Sequence, residues 1–302
     1  MAPVDLSVVI AAHDASAVID TCLAALEPQC RGRQVEVIIA DSSTDGTPER
    51  VACRFPWVRL LRFTEPLTVP ALRGRAIAVA QAPIIAILDP YSVAASDWVE
   101  QVIRAHARQP HAVIGGSVGL YRADRCSLAT WTVYLNEYGL FMPPTVRGET
   151  WIVPGSNVSY KRPVLFDGAT PRYPVFWKTF ANWEIERTGS PLWLEPAMRV
   201  DLNKPIPLTE YLRTRYAHGR CFAGMRVRDR SAAVRLLRAM STPLVPPILI
   251  WRWTRGFWPK RRHRGRFVLT LPTQLALFTV WAWGEVWGYL FGSGDSCDRL
   301  YS

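Results

Sequence analysis

A parallel α/β sheet over the first two-thirds of the chain, followed by basic and apolar helices, is the architecture the sequence predicts. Three observations predict it. Short β-branched runs alternate with segments of helical periodicity from Leu6 to about Val118. The runs are apolar on both faces, the pattern of strands covered by helices on either side. The net charge of +11 is concentrated in one stretch: between Ile206 and Arg266 there are 15 Lys plus Arg against two acids, Glu210 and Asp229.

The elements follow in order. Leu6–Ala11 (LSVVIA) reads as the first strand, ended by His13 and Asp14. From Ser16 to Leu26 the apolar residues Val18, Ile19, Cys22, Leu23 and Leu26 recur at helical spacing. Val35–Ala40 is a second strand and runs into Asp41, Ser42, Ser43, Thr44, Asp45, Gly46 and Thr47. A short helix from Thr47 to Arg54 has Asp45 and Thr47 as candidate caps and Pro48 in its first turn. Further strands are expected at Trp57–Phe63, Pro83–Leu88 and Val113–Val118, with helices at Val69–Gln81 and Trp98–Gln109. Three strands thus end in polar residues: His13–Asp14, Asp41–Asp45 and Asp89. Each alone is what a turn or cap needs. In an open parallel sheet, however, ligands bind at the carboxyl ends of strands. Three such ends in register point to a ribose, a base or a phosphate-bound metal.

The C-terminal region reads differently. Phe267–Gly292 is 26 residues long, without Lys or Arg and with Glu285 as its single acid. At ~1.5 Å per residue it is long enough for a ~30 Å hydrocarbon core. The flanking Arg252–Arg266 stretch carries the cations expected on a cytoplasmic side. Pro272 and Glu285 interrupt the run, so an interfacial or buried helical hairpin stays open beside a true span. The six cysteines form no C-x-x-C pair and no His-spaced cluster, which argues against structural zinc and fits a reduced compartment. The opening MAPVDLSVVIAAHD has no basic segment ahead of an apolar one, so the body is expected in the cytoplasm. Nucleic acid is not an expected partner, because the basic residues abut an apolar segment and no binding module is visible.

In this order and spacing the segments resemble family 2 glycosyltransferases of the GT-A fold. LSVVIAAHD resembles the family's nucleotide-binding opening strand, and VEVIIADSSTDGT its strand ending in Asp and an S-x-D-G-T turn. APIIAILDPYSVAASDWVE resembles the strand that delivers the metal-binding acids, and VPGSNVSYKRPVL an acceptor-side segment. AWGEVWGYLFGSGD resembles the tail of a membrane-proximal subset. The resemblance spans roughly residues 5–225, leaving 226–302 as a membrane-associated region. It implies that Ala11, His13 and Asp14 line the nucleotide, that Asp41 meets the base with Ser43 and Asp45 in the turn beside it, that Arg73 approaches the diphosphate, and that Asp89 binds a divalent cation, Mg or Mn. It implies inverting transfer from a nucleotide-sugar to a lipid-linked or saccharide acceptor, beside membrane lipid at the cytoplasmic face of the cell membrane. A non-catalytic partner or scaffold subunit is the alternative.

Two departures motivate that alternative. Asp89 is followed by Pro90 and Tyr91, where the family places a second acid. Trp177 is followed by Lys178, where related helices carry an acid near the general-base position. Lys178 would be a poor base but could support the leaving diphosphate. Glu184, six residues on and about 9 Å along a helix, is the other catalytic candidate, and both also suit a solvated helix face. The aromatic residues of Trp131–Trp151 suit a core or a sugar-stacking surface, and Pro143, Pro144 and Gly148 suggest a loop over the site.

Overall fold

The computed structural model describes residues 4–204 and 207–300. These form two compact units, one from 4–121 and 141–204, the other from 122–140 and 207–300. The boundary read from the sequence, at 225–226, falls at the end of a helix inside the second unit.

The first unit is built on β1 (Leu6–Ala12), α1 (Ile19–Cys30), β2 (Val35–Asp41), α2 (Thr47–Arg54), β3 (Arg59–Arg62), α3 (Val69–Val79), β4 (Ile84–Leu88), β5 (Ser92–Ala94), α4 (Trp98–Arg108) and β6 (Val113–Leu120). After α5 (Leu128–Tyr138), which belongs to the second unit, it continues with β7 (Gly148–Thr150), β8 (Asn157–Lys161), α6 (Arg162–Leu165), β9 (Phe166–Asp167), β10 (Thr170–Pro171), α7 (Lys178–Arg187) and β11 (Leu192–Leu202). Nine strands form one sheet in the order β3-β2-β1-β4-β8-β6-β11-β5, with β7 on β11. The β3-β2-β1-β4 half is parallel, while β8 runs antiparallel to both β4 and β6.

All seven residues of β1 are buried, as a strand between two helical layers requires. On one face Val9, Ala11, Ile38, Ala40, Ile85 and Ile87 pack under Val69, Leu72 and Ala76 of α3. Each fully buried Val, Ile or Leu contributes about 1.5–3 kcal/mol. Register then sets the site. Ala12 pairs with Asp41, and Ile10 pairs with Leu88, so β1, β2 and β4 end side by side.

Every strand and helix expected up to residue 120 is present. The first helix starts at Ile19 rather than Ser16. Its expected first turn is tied instead to the loop after β2: Ala15 N donates to Thr47 Oγ1 (3.0 Å) and Ser16 N to Asp45 Oδ2 (3.0 Å).

The second unit holds α5, α8 (Leu208–Arg226), α9 (Ala232–Ser241), α10 (Val245–Phe257) and α11 (Arg264–Phe291). Pro272 and Glu285 do not break the last helix. Glu285 is buried and accepts from Arg226 Nη1 at 2.7 Å. α10 and α11 close a hairpin on stacked rings, Trp253 on Phe267 at 4.2 Å and Phe257 on Phe267 at 4.4 Å. Arg235 of α9 donates to the carbonyls of Tyr289 (2.8 Å) and Leu290 (2.9 Å) at the other end of α11, capping orphan acceptors there. By length and composition, Ala232–Lys260 and Arg264–Phe291 are each long and apolar enough to cross a membrane. The reading of six reduced cysteines is corrected at one pair. Cys221 on α8 and Cys297 after α11 form a disulfide across 76 residues, because α8 and the end of α11 lie side by side. Cys22, Cys30, Cys53 and Cys126 are outside any disulfide.

Candidate active site

The loops after β1 and β2 interlock through short polar side chains. Asp14, at φ 48°, lets the chain turn back, and its N–H donates to Ser43 Oγ at 2.8 Å. Thr44 N in turn donates to Asp14 Oδ1 at 2.8 Å. His13 Nδ1 lies 3.3 Å from Ser42 Oγ. Asp45 is consumed by the loop itself: Oδ1 accepts from Thr47 N (3.1 Å) and Thr47 Oγ1 (2.5 Å), and Oδ2 from Ser16 N. Burial would raise this carboxyl, but the bonds from Thr47 and Ser16 hold it below its ordinary value.

Asp41 behaves differently. It is fully buried at the end of β2, and Ser43 donates to it twice, from N (2.9 Å) and from Oγ (2.9 Å). Burial wins over those bonds and raises its carboxyl. Ala11 is buried in β1, in register with Ala40 of β2.

The third strand end gathers charge. Arg73 reaches it from α3, where Thr68 Oγ1 caps the helix by accepting from Ala71 N. Lys178 reaches it as the first residue of α7. The two helices are joined at this point: Phe176 N donates to Pro70 O at 2.8 Å, and a Cβ at Gly74 would lie 2.0 Å from Pro174 O. Arg73 Nη2 donates to Asp89 Oδ1 at 2.7 Å, and Lys178 Nζ stands 3.7 Å from the same oxygen. Tyr91 OH donates to Asp89 Oδ2 at 2.9 Å. The Lys178 ammonium also donates to the carbonyl of Gly155. Burial alone would raise the Asp89 carboxyl, but Lys178 and Arg73 overturn that and hold it at about 2.

The structure therefore brings Asp41, Ser43, Asp89, Arg73 and Lys178 to the strand ends and keeps Asp14 and Asp45 there as loop-forming residues. It does not bring Glu184 to Asp89; Glu184 is exposed on α7 and bonds with Tyr173. Asn157, in the segment that resembles the acceptor side, is buried and structural. Its Nδ2 donates to Ser117 O (2.9 Å) and Met198 O (2.7 Å), and its Oδ1 accepts from Trp98 Nε1 (2.9 Å). Sequence reasoning missed Tyr91 as a partner of Asp89 and Lys204, whose ammonium lies 4.4 Å from the Tyr91 ring centre. A Tyr two residues beyond a strand-end Asp was the available signal.

A family model described as glycosyl transferase family 2 matches residues 7–165, just over half of the 302 residues. The chain belongs to glycosyltransferase family 2. It is thus a member of an enzyme family that transfers sugars from nucleotide-sugars. Solved structures share its fold, a GT-A arrangement with a mixed sheet. TarS 1-349 of S. aureus is 12% identical with a TM-score of 0.53, covering 96% of this chain and 90% of that one. Mannosyltransferase PcManGT from Pyrobaculum calidifontis is 18% identical with a TM-score of 0.54, covering 96% and 86%. TarS 1-349 in complex with UDP-GlcNAc is 12% identical with a TM-score of 0.54, covering 98% and 92%. By sequence the chain matches no curated protein.

The PcManGT structure is a complex with GDP-Man and Mn2+. The residues of this chain do not fit such an ion. Among the described residues no three His, Cys, Asp or Glu side chains cluster to hold a metal. Both Asp89 oxygens are engaged, and the position of a second acid is a tyrosine that donates. Arg73 and Lys178 already offset the Asp89 charge, so this carboxylate attracts a divalent ion less than an unpaired one would.

Proposed function

We propose that this glycosyltransferase moves a sugar, with inversion, from a nucleotide-sugar to a membrane-linked acceptor at the cytoplasmic face of a membrane. The observation that carries the reading is the strand-end cluster: a buried Asp41 beside the β1 loop, and cations on Asp89 at the end of β4. Asp41 and the His13–Asp14 loop would receive the nucleoside, and Arg73 and Lys178 the diphosphate. Groups so used would sit on rigid strands and helices, where positioning and charge stabilisation are most effective. Lys178 is an ion-paired ammonium and does not serve as base. A lipid phosphate acceptor is already ionised and needs none.

The membrane part of the reading rests on the second unit. Leu236, Leu237, Met240, Leu244, Ile248 and Trp251 are exposed along α9 and α10, and Leu269, Leu275, Trp283 and Phe291 along α11. An exposed apolar surface of this extent marks a membrane or partner face. The cations flanking it, Arg252 and Arg255 to Arg266, favour anionic lipid.

The test is a screen of nucleotide-sugars for transfer to lipid-linked acceptors, with nucleoside diphosphate release as the readout. Turnover with one donor class and a membrane-embedded acceptor is expected. Donor binding without turnover on any acceptor would favour a non-catalytic scaffold, and no donor binding would remove the reading.

A further inference from the structure

We propose that Arg73 and Lys178 together grip the donor diphosphate in place of a divalent cation, so that this enzyme works without one. The proposal rests on the nucleotide-sugar reading above. Its first support is position: both cations reach Asp89 Oδ1 at the end of β4, within 2.7 and 3.7 Å. Its second is construction. Lys178 is held by the Gly155 carbonyl, and a Cβ at residue 155 would lie 2.9 Å from its Nζ. A methyl group there would press on the end of the Lys178 side chain and shift its ammonium. Arg73 keeps a buried Nε–H with no partner, so its guanidinium retains a donor beyond the one Asp89 takes. Its third is the neighbourhood: Tyr91 donates to Asp89 where an acid would accept, and Lys204 lies on the Tyr91 ring.

The chemistry balances without a metal. The bond between the anomeric carbon and the diphosphate oxygen breaks, and its electron pair stays on that oxygen. The acceptor oxygen forms the new bond to carbon, and any acceptor proton leaves to solvent or to a base. Negative charge therefore grows on the diphosphate. A guanidinium fork and an ammonium can take three of its oxygens by charge-assisted hydrogen bonds, supplying the electrostatic role of a divalent ion from groups already in place.

The experiment is calorimetric binding of UDP, GDP and ADP to the full-length protein in detergent, once with EDTA and once with Mn2+. At least one nucleotide should bind with equal affinity in both. Lys178→Ala should weaken it roughly 10- to 100-fold in EDTA, Lys178→Arg should keep most of it, and Gly155→Ala, which displaces the ammonium while keeping its charge, should weaken it as well. If the parent binds only with Mn2+, the grip is wrong while the donor reading stands. Parental affinity of both Lys178→Ala and Gly155→Ala in EDTA overturns the grip too. If no nucleotide binds the parent under either condition, the donor reading fails and the grip with it. Should Lys178→Ala not fold, Gly155→Ala and Lys178→Arg carry the test.

Discussion

Asp89 is buried at 4% exposure beside two cations, and this makes it a stability group as well as a proposed site group. Its carboxyl sits at about 2 in the folded chain, below its ordinary value of 3.8. A depressed carboxylate contributes stability that is present above the unfolded value, near pH 4, and lost as pH falls through about 2. Asp89→Asn should therefore lower unfolding free energy at pH 7 by about 3–5 kcal/mol, since it strands two buried cations. The deficit should shrink between about pH 4 and pH 2, as denaturant unfolding across that range would show; a pH-independent deficit would mean the ion pairs do not hold the carboxyl down. Asp41 and Asp45 separate on the same logic. Asp45→Ala removes loop bonds and should cost about 1–2 kcal/mol of stability with little change in nucleotide binding. Asp41→Ala should weaken nucleotide binding by about 1–3 kcal/mol, measured by titration of the folded variant. The position of both aspartates at the end of β2 was legible, because an apolar run gives way there to Asp, Ser and Gly. The engagement of Lys178 with Asp89 was not, because it depends on contacts that join α3 to the start of α7, 100 residues apart in sequence.

Elements were legible where their pattern was regular. β1, β2 and β4 are short apolar runs bounded by polar residues, and α2 carries Pro48 in its first turn. β11 was not found, because Pro196 and a register shift between Glu195 and Arg199 break its alternation. β8 hides inside a segment whose buried residues include Asn157 and Ser159, polar groups whose partners lie on other strands. In the second unit, Gly284 and Gly288 make the crossing of α11 with α8. A Cβ at Gly284 would lie 2.3 Å from Tyr216 O, and one at Gly288 2.3 Å from Arg220 O. Gly288→Ala must push two backbones apart and should cost about 1–3 kcal/mol. Gly265→Ala, in the same helix with nothing within 4 Å of its Cβ, should be neutral or stabilising by up to about 1 kcal/mol. Thermal unfolding of the pair checks the crossing; equal melting temperatures would refute it.

At the scale of the whole molecule, the charge asymmetry read from composition coincides with the second unit, and there the question is how it meets lipid. Four cysteines outside the one disulfide predict that four alkyl groups add to the denatured, unreduced chain and six after reduction, as intact mass would show. A count of six without reductant would show that the pair is open. Hydropathy alone would let α9–α10 and α11 cross a bilayer as a hairpin, yet the charges argue for lying in its surface. Only 13 residues separate Arg238 from Arg252, about 20 Å of helix against a ~30 Å hydrocarbon core. A spanning hairpin would also carry Lys260, Arg261, Arg262, Arg264 and Arg266 to the far side, against the bias of basic loops. An interfacial helix needs neither, since its apolar face sinks only about 5–10 Å and its basic residues stay with the headgroups. The protein should therefore float with anionic vesicles, float less with neutral ones, and lose part of its binding in high salt. Trypsin added outside such vesicles should cut at Arg261 and Arg262. Protection of those two bonds in intact vesicles, with cleavage restored by detergent, would show that the hairpin spans.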